Sequence, residues 1–244
     1  MNQILVTEKL YITPELKRKK KMYKFNFLFS VFLVCILISL CIYAEYDRNK
    51  SEEASQAILA NMNNDDTTVA NNNILVVVLD DSEQNEQIQE QANGISGSGK
   101  GTVQTTESGY RYTTIGTVNI PKINVKYPIL DGETDSAEET EALLKISPTK
   151  FWGPNPNEVG NFCIVGHNYR NTKFFSKVPT LQVGDTIEIT DLSGKTVKYT
   201  VYNKYEVDPT DVSCTTQLTN GKKEVTLITC TDDSKKRVVV KARK

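Results

Sequence analysis

The sequence predicts a mainly β protein in which a small β-barrel domain follows one transmembrane helix. Residues 113–244 hold roughly seven or eight short strand-like runs and one or two helical stretches, which is the pattern of a small barrel. Residues 25–44 form an apolar run without a charge, long enough to cross a bilayer. A chain of 244 residues has room for one sizeable domain with such an appendage.

The apolar run, FNFLFSVFLVCILISLCIYA, predicts a retained membrane anchor. At about 1.5 Å per residue, a helix of this length spans roughly 30 Å, the thickness of the hydrocarbon core. A cleaved signal peptide has a shorter apolar core and a small-residue cleavage site, and residues 41–45 are a poor site of that kind. Basic residues at 17–24 precede the run. We therefore expect a single-pass protein of the cell membrane with a cytoplasmic N-terminus and everything after Glu45 outside.

The composition divides the chain into four parts. Residues 1–24 are a basic cytoplasmic N-terminus, 25–44 the transmembrane anchor, 45–112 a polar extracytoplasmic spacer and 113–244 the barrel domain. The spacer is rich in Asn, Gln, Glu and Gly with few aromatic residues, so we expect a flexible or partly helical linker. One apolar island, residues 74–79, interrupts it. An added strand, a patch docking on the domain and a transiently exposed segment all stay open for this island.

The expected elements of the barrel follow from short apolar runs bounded by turn residues. Asp191 to Gly194 predicts a hairpin turn. One helix is expected at 135–145, because Asp135 or Ser136 can cap it. The strand-like runs lie at 115–120, 125–129, 162–165, 185–190, 196–207, 225–230 and 237–242.

Charge and cysteine content exclude several classes of function. A net charge of −1 offers no reason to expect nucleic-acid binding. Five scattered cysteines without a CxxC pair, together with a single histidine, do not form a disulfide scaffold or a zinc site. We therefore expect no metal and no cofactor. A disulfide between Cys163 and Cys214 in an oxidising exterior stays open.

Three residues at the ends of strand-like runs suggest thiol chemistry. His167, the only histidine, closes one apolar run; Cys230 closes another; Arg237 follows shortly after. A thiol needs a base or an imidazolium partner to become a competent nucleophile, so the assignment of the histidine is forced if such chemistry occurs. The alternative is a structural histidine and a cysteine that packs as a small apolar residue.

Four ordered segments carry a resemblance to a known family. These segments are 115–123 (IGTVNIPKI), 160–168 (GNFCIVGHN), 226–231 (TLITCT) and 237–240 (RVVV). With the anchor and the spacer, residues 113–244 resemble the sortases, the membrane-anchored cysteine transpeptidases of Gram-positive bacteria. The resemblance implies a closed eight-stranded β-barrel with His167, Cys230 and Arg237 around one groove.

The resemblance also implies a reaction. Cys230 would attack the Thr carbonyl of an LPxTG-like sorting motif and form a thioester, with cleavage between Thr and Gly. His167 would protonate the departing amine and deprotonate the incoming one, and Arg237 would hold the substrate or stabilise the oxyanion. Thr229 and Asn168 are further candidates for substrate binding or oxyanion support. The partners would be surface proteins bearing a sorting signal and an amine of a peptidoglycan precursor or a pilin lysine.

The three extracytoplasmic cysteines differ in their surroundings. Cys163 sits inside an apolar run, where a small apolar residue is expected, whereas Cys230 lies where apolar residues give way to Thr231 and two aspartates. Cys214 lies in the polar segment 208–224, which in sortases forms a wall of the motif-binding groove, and is expected to be an incidental surface thiol. Asp232 and Asp233 are expected to face solvent.

Subclass and activity stay open at this point. Pilin-assembling sortases usually carry an Asp-Pro lid before the barrel, and the spacer of this chain contains no Asp-Pro. The 208–224 segment is too short for the long extra helix of class B enzymes. By elimination, the chain is more similar to class D or general-purpose wall-anchoring sortases. A secreted cysteine protease would pass the thioester to water. A sortase-like binding module would have the barrel without the catalysis, and in an anchored structural barrel the three residues would coincide by chance. Glu206, Asp208 and Asp211 could form part of a calcium site, although solvated carboxylates are the preferred interpretation.

Overall fold

A computed structural model describes residues 14–64, 101, 103–134 and 136–244. The island at 74–79 and the candidate cap Asp135 lie outside the described residues. The chain forms two compact units, one up to Lys50 and one from Ser51 onward.

The first unit contains most of a long helix. Helix α1 covers Pro14–Asn64, and its Arg18–Met62 portion is long and apolar enough to cross a membrane, with a mean hydropathy of 2.7 in its most apolar stretch. That stretch is not buried against protein, which suits a helix surrounded by lipid, and an N-terminal signal sequence has the same length and composition. The helix continues beyond residue 44, into a part of the chain that was expected to be spacer.

The second unit is mainly β, as predicted. Its strands alternate buried and exposed side chains or, at the centre of the sheet, bury both faces. The elements are β1 (Val103–Thr105), β2 (Arg111–Ile120), β3 (Val125–Gly132), α2 (Ala137–Leu144), β4 (Thr149–Trp152), β5 (Gly160–Val165), β6 (Thr186–Asp191), β7 (Thr196–Val207), β8 (Lys223–Cys230) and β9 (Arg237–Arg243).

The predicted closed eight-stranded barrel is confirmed. The strands are hydrogen-bonded in the order β2-β3-β4-β5-β8-β9-β7-β6, and β6 pairs with β2 to complete the circle. The additional strand β1 pairs antiparallel with the first three residues of β2. Closure depends on Gly116, because a Cβ there would lie 2.4 Å from the Thr190 carbonyl oxygen of β6. Neither β1 nor the four-residue β4 was predicted, since such short segments carry no clear periodicity.

Helix α2 lies at the end of the barrel near β3 and β4. Its predicted cap is confirmed at Ser136, whose hydroxyl accepts the Glu139 N–H at 3.1 Å. The buried Glu139 carboxylate in turn accepts the backbone N–H groups of Glu133 and Thr134. These bonds tie the first turn of α2 to the end of β3, so the position of the helix is well determined.

The end of α1 belongs to the second unit and packs on the barrel domain. Ile58 is buried in a small core with Tyr112, Leu130 and Leu143. The buried Ser55 hydroxyl lies 2.9 Å from the Ser147 hydroxyl. Residues 51–62 are therefore part of the folded domain in this structure, through contacts that the sequence did not predict.

Candidate active site

The parallel strands β5 and β8 bring the predicted histidine and cysteine to one end of the barrel. Their last paired residues are Val165 and Ile228. Beyond that pair, the Gly166 N–H donates to the Ile228 carbonyl at 3.1 Å, and the Thr229 hydroxyl donates to the Gly166 carbonyl at 2.8 Å. His167 and Cys230 each lie two residues past the last pair, so the register of the parallel pair places both at the same edge.

The β8–β9 hairpin places Arg237 against Cys230. These two residues are directly opposite each other in the antiparallel pair, one ending β8 and the other beginning β9. Arg237 Nη1 donates to Cys230 Sγ at 3.2 Å. A guanidinium at this distance stabilises negative charge on sulfur, which is the form that attacks a carbonyl.

The three barrel cysteines differ in access. Cys230 is partly exposed, while Cys163 and Cys214 are buried. Burial raises the pKa of Cys163 to about 12 and also raises the pKa of Cys214. The expectation that Cys214 is a surface thiol is wrong, because its side chain is buried against Ile228 of β8 and Val239 of β9. All five cysteines of the chain are free, so the Cys163–Cys214 disulfide is not formed in this structure.

The imidazole of His167 lies next to a carboxylate of α2. Its Nε2 is 3.7 Å from Glu141 Oε1, and 23% of the histidine side chain is exposed. Burial is the main effect and lowers the pKa of His167 below 6.5; the Glu141 carboxylate raises it, and the charges of Lys145 and Arg237 lower it further. Sequence reasoning missed Glu141, because nothing in the chain links a helix-surface glutamate with a histidine 26 positions later.

A series of packed aromatic rings connects His167 to the core of the barrel. The rings of His167 and Tyr169 have centroids 5.1 Å apart, and Tyr169 packs edge-on against Phe174 at 5.5 Å. Phe174 stacks on Tyr127 at 5.0 Å. The Tyr127 hydroxyl donates to the Glu52 carboxylate of α1, with a distance of 2.8 Å to Oε2. The loop that follows His167 is thus held by the core of the barrel.

Two further predicted residues lie close to the cysteine. Asn168 Nδ2 donates to the Cys230 carbonyl at 2.9 Å and to Asp232 Oδ1 at 3.0 Å. Thr229 is buried, and its hydroxyl donates to the Gly166 carbonyl. In this structure both side chains hold the backbone around Cys230 and His167. Asp232 and Asp233 are exposed at the surface of the β8–β9 turn.

The segment between β7 and β8 is fastened to the barrel by a buried asparagine. Asn161 Nδ2 donates to the carbonyls of Cys214 and Thr216, at 2.9 Å and 3.1 Å. Its Oδ1 accepts the Thr226 hydroxyl at 2.7 Å. The Gln217 side chain adds a pair of hydrogen bonds to the Asn161 backbone. These hydrogen bonds hold residues 214–217 of the segment against β5.

A surface groove of about 430 Å³ lies elsewhere on the domain. It is lined by Lys150–Pro154, Val159 and Gln217. Because β5 begins at Gly160 beside this groove and ends before His167, the groove lies toward the opposite end of the barrel from the candidate catalytic residues. Among the residues that the structure describes, no three His, Cys, Asp or Glu side chains converge as a metal site.

The family comparison agrees with this geometry. The sortase domain model matches residues 118–244, more than half of the chain. The chain belongs to the sortase family. No curated protein sequence matches it at a significant level.

Solved structures of sortases are similar to parts of the chain. The sortase D5 transpeptidase of Clostridium perfringens is 32% identical, with 54% of this chain and 78% of that chain covered and a TM-score of 0.46. Sortase C-1 of Actinomyces oris is 25% identical, with coverages of 52% and 70% and a TM-score of 0.45. A lid mutant of sortase A from Corynebacterium diphtheriae is 27% identical, with coverages of 54% and 70% and a TM-score of 0.44.

Proposed function

We propose that this sortase is a membrane-anchored cysteine transpeptidase that cleaves an LPxTG-like sorting motif between Thr and Gly and transfers the protein to a cell-wall amine. The contact between Arg237 Nη1 and Cys230 Sγ is the observation that supports this most directly. It pairs the most accessible of the three barrel thiols with a permanent positive charge at the same barrel edge as the only histidine.

In the acylation step, the Cys230 thiolate attacks the carbonyl carbon of the motif threonine. A C–S bond forms, and the carbonyl π electrons move to oxygen, which gives a tetrahedral oxyanion. As this intermediate collapses, the C–N bond to glycine breaks and protonated His167 supplies the proton of the departing amine. Arg237 balances the negative charge, first on sulfur and then on the oxyanion. The product is a thioester on Cys230.

In the second step, an amine of a peptidoglycan precursor or of a pilin lysine attacks the thioester. Neutral His167 accepts the proton of this amine, and the thiolate of Cys230 departs beside Arg237. If water attacks instead, the same site acts as a cysteine protease. The partly exposed position of Cys230 admits either acceptor.

Intact-mass spectrometry of the full chain in detergent tests this proposal. We expect incubation with a panel of LPxTG-like peptides to produce an acyl adduct that an added amine releases as a peptide–amine product. The adduct should vanish in Cys230→Ala and persist in the matched control Cys163→Ala, because Cys163 is buried away from substrate. Release of free peptide acid despite saturating amine would support the protease, and the absence of any adduct would contradict catalysis at Cys230.

We also propose that residues 25–44 anchor the protein in the cell membrane as a single pass with a cytoplasmic N-terminus. The length and hydropathy of α1 support a membrane span, and the basic residues before the apolar run support the orientation. The mass of the protein purified from membranes tests whether the anchor is retained. A retained anchor leaves the N-terminal segment in the mature chain, whereas a cleaved signal removes it.

A further inference from the structure

Charged groups from two neighbouring elements act electrostatically on the imidazole of His167. Glu141 lies on α2 and Lys145 ends that helix, while Arg237 begins β9. From its own segment the ring meets Tyr169, with centroids 5.1 Å apart. Among these described neighbours, the only negative charge is that of Glu141, whose Oε1 lies 3.7 Å from the histidine Nε2.

Helix α2 holds this glutamate in a defined place. The Ser136 cap and the buried Glu139 fasten its first turn, and Leu143 packs into the small core that includes Ile58 of α1. Glu141 itself is 62% exposed, so its side chain is not part of that packing. Replacing its carboxylate should leave the fold intact while changing what the imidazole meets.

We propose that Glu141 is a positioning residue for His167, with a carboxylate that orients the imidazole through Nε2 and stabilises its protonated form. The inference rests on the function proposed above, in which the imidazolium donates a proton to the departing amine. It adds a specific acidic group to the Cys230, His167 and Arg237 arrangement.

The balance of charges gives the direction of the effect. Burial, Lys145 and Arg237 each lower the pKa of His167, and Glu141 opposes them. If Glu141 loses its charge, only the lowering effects remain, so the pKa should fall and less imidazolium should be present near neutral pH. If Lys145 loses its charge, the pKa should rise.

Nuclear magnetic resonance of the full chain in detergent tests the proposal directly. Because His167 is the only histidine, labelling with ¹⁵N-histidine gives the ring signals of one residue. We would titrate the parent, Glu141→Gln, Glu141→Asp and Lys145→Gln from about pH 5 to pH 9, the range in which histidine changes charge. The matched control is Glu138→Gln, which removes the same charge from an exposed position in the first turn of α2.

The expected result is a downward shift of the His167 midpoint in Glu141→Gln and an upward shift in Lys145→Gln. In Glu141→Asp, the His167 midpoint should lie between those of the parent and of Glu141→Gln, since the negative charge remains at the same helix position. Glu138→Gln should match the parent. In the peptide assay, kcat/KM of Glu141→Gln near neutral pH should fall about two- to fivefold. The basic limb of its pH profile, where activity is lost as His167 loses its proton, should move to lower pH with the midpoint.

Equal midpoints for the parent and Glu141→Gln, with the fold shown intact by circular dichroism, would overturn the proposal. An equal shift in Glu138→Gln would also overturn it, because a general change of helix charge would then suffice. The titration does not need catalysis. If no peptide acylates Cys230 in the parent, the proposed function fails, while the midpoints still decide whether Glu141 controls His167.

Discussion

At the scale of single residues, the β8–β9 hairpin determines which charge meets the candidate nucleophile. Cys230 and Arg237 face each other because they close the same antiparallel pair, with Thr231 and Lys236 bonded across the turn at 3.0 Å. The Arg237 guanidinium therefore contacts the Cys230 sulfur directly across the strand pair. Arg237 should therefore matter through its planar, permanent charge rather than through packing.

We expect Arg237→Ala to lower kcat/KM for peptide transfer by about 10²–10³, as for loss of a donor to a developing negative charge. Arg237→Lys should recover only part of this, because an ammonium group lacks the planar fork. Arg243→Ala is the control on the same strand, since Arg243 lies 4.6 Å from the Tyr202 ring centroid and away from Cys230. Equal losses in both alanine variants would contradict a role at the sulfur.

Cysteine labelling tests the access to each thiol. In the folded protein, iodoacetamide should modify Cys230 and leave Cys163 and Cys214 unmodified, because burial shields both and raises the pKa of Cys163 to about 12. Peptide mapping by mass spectrometry measures each site, and labelling in urea should modify all three. Rapid labelling of Cys214 in the folded state would contradict its burial.

At the scale of elements, the segment between β7 and β8 depends on one side chain of β5. Asn161 is fully buried and bonds to the carbonyls of Cys214 and Thr216 and to the Thr226 hydroxyl. Buried groups that lose a partner are costly, because no water replaces it. This residue links a barrel strand to the segment between β7 and β8, which was expected from the sequence to form a wall of the substrate groove.

We expect Asn161→Ala to lower the free energy of unfolding by about 1–3 kcal/mol, since it removes three side-chain hydrogen bonds and leaves the buried Thr226 hydroxyl without its acceptor. Urea denaturation measures this change. The control Asn203→Ala, at an exposed position of β7, should stay within about 0.5 kcal/mol of the parent. A stable Asn161→Ala protein would mean that the segment is held by its other contacts, such as the Gln217 bonds.

At the scale of the whole second unit, residues 51–62 complete a small core beside the barrel. Ile58 joins residues from β2, β3 and α2, and α2 is the helix that presents Glu141 to His167. A fragment that begins at residue 113 lacks this contribution. The domain in this structure is better represented by a chain that includes residues from Ser51 onward.

We expect Ile58→Ala to destabilise the protein by about 2 kcal/mol or more, because it removes buried methyl groups and leaves a cavity. Thermal unfolding followed by circular dichroism measures the effect. Glu53→Ala, at an exposed position of the same helical segment, is the control and should change stability little. If Ile58→Ala behaves like the control, the packing of this segment contributes nothing to stability.

The positions of the main strands along the chain, the capping of α2 and the small β-barrel class follow from local patterns, whereas the closed eight-stranded barrel was implied by the resemblance of four short motifs to the sortases. The sequence also restricts the histidine to His167, because the chain contains no other. These predictions depend on neighbours along the chain: alternation, turn residues and an uncharged run. They could be made without coordinates for that reason.

The tertiary structure alone decided the contacts between distant segments. It brings β6 to β2 at Gly116, buries Cys214, places Glu141 beside His167 and packs Ile58 on the domain. No local sequence pattern predicts these arrangements, because each depends on contacts between residues that are far apart in the chain. The sequence determined which groups are present for chemistry, and the closed barrel decided which of them meet.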